Sequence, residues 1–208
     1  MIPLLLAWLA PLPRAQAVNP PPDGGYPGGN TAERTDALLN LTTGVWNTAL
    51  GTQTLNHDTM GHQNTATGYQ SLFSNTIGGQ NTASGALSLF SNLDGQSNTA
   101  TGYQSLFSNT IGRQNTATGA LSLFSNLDGQ SNTADGYKAL AHNITGYFNT
   151  AVGAEALLRN TNGGGNTAVG VQALRDNTVG GSNTAIGGGA LSHNTAAFRN
   201  TAIGSNAL

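Results

Sequence analysis

The chain contains no cysteine, so disulfides and thiolate metal sites are excluded in any compartment. Charge is almost as scarce. Seven Lys and Arg with nine Asp and Glu make up 8% of 208 residues, against about 25% in an ordinary soluble domain. The net charge of −2 offers no basic surface for nucleic acid and no electrostatic grip on an anionic membrane. Long apolar runs are missing too. Residues 4–12, LLLAWLAPL, are too few to span a bilayer, and no later segment reads as transmembrane. Low charge with few apolar residues would suggest disorder, but here the apolar residues recur at fixed intervals.

What fills the chain instead is repetition. The tripeptide Asn-Thr-Ala starts at residues 30, 47, 64, 81, 98, 115, 132, 149, 166, 183 and 200, every step being seventeen. Counting each Asn as position 1, the unit reads N-T-A-x-G-x-x-A/S-L-x-x-N-x-x-G-x-x. Position 9 is Leu in all eleven copies, position 5 is Gly in ten, and position 12 is Asn in eight of the ten full copies. The 29 glycines are about twice the ordinary share. Residues 64–97 and 98–131 differ only at Gly79/Arg113 and Ser84/Thr118, so a two-copy block has been duplicated.

Three segments follow. Residues 1–17 read as a signal peptide: an apolar run followed by Ala15-Gln16-Ala17, a small-x-small cleavage pattern. Residues 18–29, VNPPPDGGYPGG, are a Pro/Gly-rich leader. Residues 30–208 form the repeat domain, whose last coil is incomplete.

A seventeen-residue unit lacks the length and the three-four spacing of a helical pair. Two short strands suit it better, one through Thr-Ala-x and one through the Leu segment, with Asn-x-x-Gly as turn chemistry. Ordering seventeen residues costs on the order of 17–34 kcal/mol of backbone entropy, and burying one Leu returns roughly 1.5–3 kcal/mol. A single coil therefore must stack on its neighbours. The expected fold is all-β, a parallel β-solenoid of eleven coils in which each residue lies about 4.8 Å above its counterpart.

Two columns should form its structural ladder: Asn64, Asn81, Asn98, Asn115, Asn132, Asn149, Asn166 and Asn183 as amide rungs, and Leu72, Leu89, Leu106, Leu123, Leu140, Leu157, Leu174 and Leu191 as a thin core with Ala at position 3. Period-2 alternation puts positions 2 and 4 on the other face of the strand. Position 4 is polar from Thr67 to Asp135 and apolar at Val152, Val169, Ile186 and Ile203. That apolar stripe suggests burial against another subunit.

The runs NTAVG (149–153, 166–170) and NTAIG (183–187, 200–204) resemble the head repeats of YadA-like, haemagglutinin-type trimeric autotransporter adhesins and related bacterial surface and tail-fibre-like proteins. The period is longer here, with the extra length after Leu. The resemblance implies a left-handed β-roll packed as a homotrimer, used as a surface adhesive or spacer, without catalysis.

Chemistry-bearing residues are dispersed. His57, His142 and His193 share position 11 but lie coils apart, too far to share a metal. Asp94 and Asp128 share position 14 two coils apart, with no cleft-forming element in view. No catalytic motif or cofactor pattern is present, and the expectation is a protein that is not an enzyme. The contact candidates are aromatic: Phe73, Phe90, Phe107 and Phe124 at position 10, and Tyr69, Tyr103 and Tyr137 at position 6 in alternate copies. They read as a subunit interface or a stripe facing an extracellular protein or glycan. The expected function is a secreted or cell-surface adhesion module. Ice binding through the position-2 Thr column is an alternative, although single-file Thr lacks the paired columns a lattice match requires. Glycan binding is another, although it needs acids beside the aromatics in a groove.

Overall fold

The structure is a computed structural model and describes residues 26–208. The segment read as a signal peptide, residues 1–17, and most of the expected leader lie outside the described residues. Residues 26–29 form a turn that folds onto the first coil: Tyr26 N–H donates to the Asn30 carbonyl, and the Gly28 carbonyl accepts from Trp46 N–H at 2.8 Å.

Each coil contributes one three-residue strand. In chain order these are β1 (Thr31–Glu33), β2 (Thr48–Leu50), β3 (Thr65–Thr67), β4 (Thr82–Ser84), β5 (Thr99–Thr101), β6 (Thr116–Thr118), β7 (Thr133–Asp135), β8 (Thr150–Val152), β9 (Thr167–Val169), β10 (Thr184–Ile186) and β11 (Thr201–Ile203). They build one eleven-stranded parallel sheet in strict sequence order. The register is fixed at Thr on Thr and Ala on Ala from β1 to β11. The parallel β-solenoid is thus present, with about 4.8 Å between coils and a stack roughly 50 Å long.

The expected second strand is not there. The segment through Leu is a pair of tight turns, closed by bonds such as Ser71 N–H to Gly68 O and Asn75 N–H to Leu72 O at 3.2 Å. The cause is an alternation in the sign of φ. In the third coil Gly68 has φ of 125°, Gln70 of 52° and Leu72 of 51°, so the pleat cannot continue. Left-handed backbone costs a non-Gly residue about 1–2 kcal/mol. Neighbouring coils offset it. Gly68 and Gln70 turn their N–H groups onto the previous coil, to Leu50 O and Thr52 O, while Leu72 and Ser74 turn theirs onto the next, to Ser88 O and Phe90 O. Backbone bonding between coils therefore continues far outside the strands.

The core is half apolar and half amide. Ala66, Leu72, Asn64 and Asn75 are fully buried, as are their column mates in the interior coils, while the end coils leave Leu208 exposed and Asn194 only partly buried. The position-1 Asn side chain is saturated. Asn81 Nδ2 donates to Gly95 O at 2.8 Å and to Asn64 Oδ1 at 3.2 Å, and Asn64 Oδ1 also accepts from Asn81 N–H at 3.0 Å. The position-12 Asn, which the sequence reading assigned to a turn, forms a second buried ladder. Asn92 Nδ2 bonds Asn75 Oδ1 at 2.7 Å and Gly95 O at 3.0 Å. Position 15 is Gly for a steric reason: a Cβ on Gly78 would lie 2.6 Å from Gly95 O and 2.7 Å from Asn92 Nδ2.

Replacing Asn109 by Ala leaves the buried Asn92 Oδ1 without its donor and takes one of two acceptors from Asn126 Nδ2, and a buried group left unpaired costs about 1–3 kcal/mol. Its denaturation midpoint should fall by that order, whereas Asn162→Ala on the exposed turn should leave it unchanged. Equal midpoints for the two variants would show that the inner ladder contributes no net stability.

Candidate functional site

Positions 2 and 4 flank a buried Ala and both face outward. The exposed-buried-exposed pattern holds in β3, β4, β5, β6 and β7. The threonines are therefore not single-file. Thr65/Thr67, Thr82/Ser84, Thr99/Thr101 and Thr116/Thr118 make two parallel columns: positions 2 and 4 share a face as expected, and the Thr and Ser at position 4 supply the second column that the single-file expectation left out. Further along, the second column becomes Val152, Val169, Ile186 and Ile203, of which Ile203 is 71% exposed.

The Phe column behaves as a ladder. Phe73, Phe90, Phe107 and Phe124 stack with centroids 5.1, 5.1 and 5.2 Å apart and interplanar angles of 5°, 5° and 9°. Each is half-buried. His57 closes one end edge-on, 4.5 Å from Phe73, so this histidine is a ladder cap. Tyr69, Tyr103 and Tyr137 are about half exposed and recur every second coil, about 10 Å apart. Lys138 Nζ lies 5.1 Å from the Tyr137 ring centroid.

A cleft on the turn side of the coils was not anticipated. Asp128, Gln130, Thr145, Tyr147 and Phe148 line a space of about 290 Å³. Tyr147 and Phe148 meet edge to face at 5.6 Å, and both are more than half exposed. The cleft joins aromatics, an acid and an amide, the combination that the sequence reading found lacking. The signal was present: Asp128 and Gln130 at positions 14 and 16 of one coil lie under the same positions of the next, where Thr145 and Tyr147 stand. Asp94, the column mate of Asp128, instead pairs with Arg113 at 3.4 Å on the surface. Among the described residues no three His, Asp or Glu side chains gather at metal-binding distance, and no helix is long and apolar enough to cross a membrane.

Asp58 is one of two exceptions in the position-12 column, the other being Leu41. The acid is fully buried. Its Oδ1 accepts from Asn75 Nδ2 at 2.8 Å and from Gly61 N–H at 3.1 Å, while Oδ2 has no partner. Burial pushes its carboxyl up from 3.8 to about 7, against the lowering effect of the Asn75 and Gly61 hydrogen bonds. Position 12 of the coil before it is Leu41, so Asp58 ends the ladder. The end rung has only to accept from the next coil, and an acid can do that.

No family model matches the chain, and no curated protein or solved structure matches it. The likeness to adhesin heads rests on the repeat motif.

The raised pKa of Asp58 gives a sign. The folded chain holds a proton that the unfolded chain releases above about 3.8, so its contribution to stability is full below that pH and is lost as pH rises through about 7. The loss approaches about 4 kcal/mol. Thermal melts of the wild type minus those of Asp58→Asn should show this fall between pH 4 and 8, and a flat difference would refute it.

Proposed function

We propose that the chain is a secreted or cell-surface adhesion module, a stiff rod that carries a carbohydrate-contacting cleft, and that copies of it associate as a homotrimer. The observation that carries this reading is the Asp128–Tyr147–Phe148 cleft. Aromatic faces stack on the apolar side of a sugar ring, and carboxylate and amide groups orient its hydroxyls. The Tyr69, Tyr103 and Tyr137 line adds regularly spaced contacts along the same rod, suited to a repeating ligand. Binding without turnover fits the lone carboxylate of the cleft, since glycoside hydrolysis ordinarily uses a pair. The repeat motif that resembles adhesin heads supports the same class. Self-association is assigned to the apolar columns of the Phe ladder and of Leu93 and Leu127 at position 13, the two leucines each over 40% exposed.

Two measurements test the reading. A panel of oligosaccharides and insoluble polysaccharides should yield a ligand whose affinity falls up to about tenfold in Tyr147→Ala and Phe148→Ala. A full panel with no binder would sink the glycan assignment. Sedimentation with light scattering on residues 18–208 should give three chain masses, and a folded monomer would remove the homotrimer.

A further inference from the structure

The strand face has a geometry that neither the cleft nor the Tyr line uses. Its two columns repeat about 4.8 Å across the strands and roughly 6.7 Å along them. The rows stay in one register along the whole sheet, Thr on Thr and Ala on Ala. The Phe rings, each carried by its own coil, stay within 5°, 5° and 9° of parallel, so neighbouring coils repeat the same side-chain placement.

The side chains on this face are also held ready. Thr, Val and Ile are β-branched, with few χ1 states on a strand. Position 2 is Thr in every row, and position 4 is β-branched in β3, β5, β6, β8, β9, β10 and β11. The hydroxyls are uncommitted. On the turns, Thr76 Oγ1 donates to Leu93 O at 3.0 Å and Thr110 Oγ1 to Leu127 O at 2.9 Å. Among the described residues, no such bond engages the hydroxyls of Thr65, Thr67, Thr99, Thr101, Thr116 or Thr118. Charge on the two columns is limited to Glu33 and Asp135.

A regular, nearly uncharged array of hydroxyls and methyls without concavity is a poor receptor for a small solute. It suits a partner that is itself periodic. We propose that the face formed by β3 to β11 binds ice, its Thr, Val and Ile rows ordering water at spacings close to the oxygen repeats of a prism face of hexagonal ice. This activity goes beyond the adhesive reading and uses a different side of the rod. The row at Thr99/Thr101 is the centre of the polar half, and Asp135 interrupts the junction with the apolar half.

The test is the gap between melting and freezing of a single ice crystal in a solution of the whole chain, together with uptake of the chain into a slowly growing ice hemisphere. The wild type should open a gap, facet the crystal and be incorporated. Thr101→Tyr, which sets a large ring in the middle of the lattice, should abolish all three while keeping the wild-type circular dichroism and melting temperature. Asp135→Thr should widen the gap, and Asn162→Ala, on an exposed turn, should leave it unchanged. A folded wild type that is excluded from ice overturns the proposal. So does a gap that Thr101→Tyr does not alter, and so does binding of crystalline polysaccharide, rather than ice, that Thr101→Tyr removes.

Discussion

Everything in this molecule depends on the amide group meeting its own copy one coil away. The side chains of Asn64 and Asn75 are as deeply buried as the Leu72 core, and a buried amide without partners is costly. Each finds them only if the coil above is displaced by one strand spacing and by no other amount. An insertion of a single residue would shift both ladders, the strand register and the Gly contacts together. The invariant seventeen-residue step is the sequence record of that demand.

The same demand explains why so much left-handed backbone is tolerated. Leu at position 9 has φ between 48° and 52° in all ten full coils, an unusual conformation for Leu. It persists because the turn it makes aims N–H groups alternately at the coil before and the coil after. Strain within the coil is exchanged for bonds between coils. The result is a body whose cohesion lies almost wholly along its axis, with a surface decorated independently at positions 4, 6, 10, 14 and 16. Strand face, Phe ladder, Tyr line and cleft coexist because changing one column leaves the ladders untouched.

Much of this was legible in the residues. The period, the parallel stacking, the Asn64 and Leu72 columns and the stacked Phe73–Phe124 ladder follow from spacing alone. The second strand did not materialise because φ signs at Gln70 and Leu72 are set by hydrogen bonds to other coils, which a local reading of β-propensity does not contain. Asn75 looked like a turn residue for the same reason, since its burial is decided by the coil that covers it. The cleft escaped notice because Asp128 and Tyr147 are nineteen residues apart in sequence and become neighbours only through the stacking. The paired threonine columns follow from the alternation that already put positions 2 and 4 on one face, once Thr67, Thr101 and Thr118 are counted beside the position-2 column.

The near-identity of residues 64–97 and 98–131 has a further meaning in the folded rod. Loss of residues 81–114 would seat the coil beginning at Asn115 directly on the coil beginning at Asn64. The arriving coil repeats the one it replaces except for Thr118 in place of Ser84, an exposed position. Every buried surface would meet the partner it already has. Rod length is thus a quantity that unequal recombination can reset in steps of about 10 Å, with no new interface to evolve, so natural populations of the gene can differ in reach while sharing one fold.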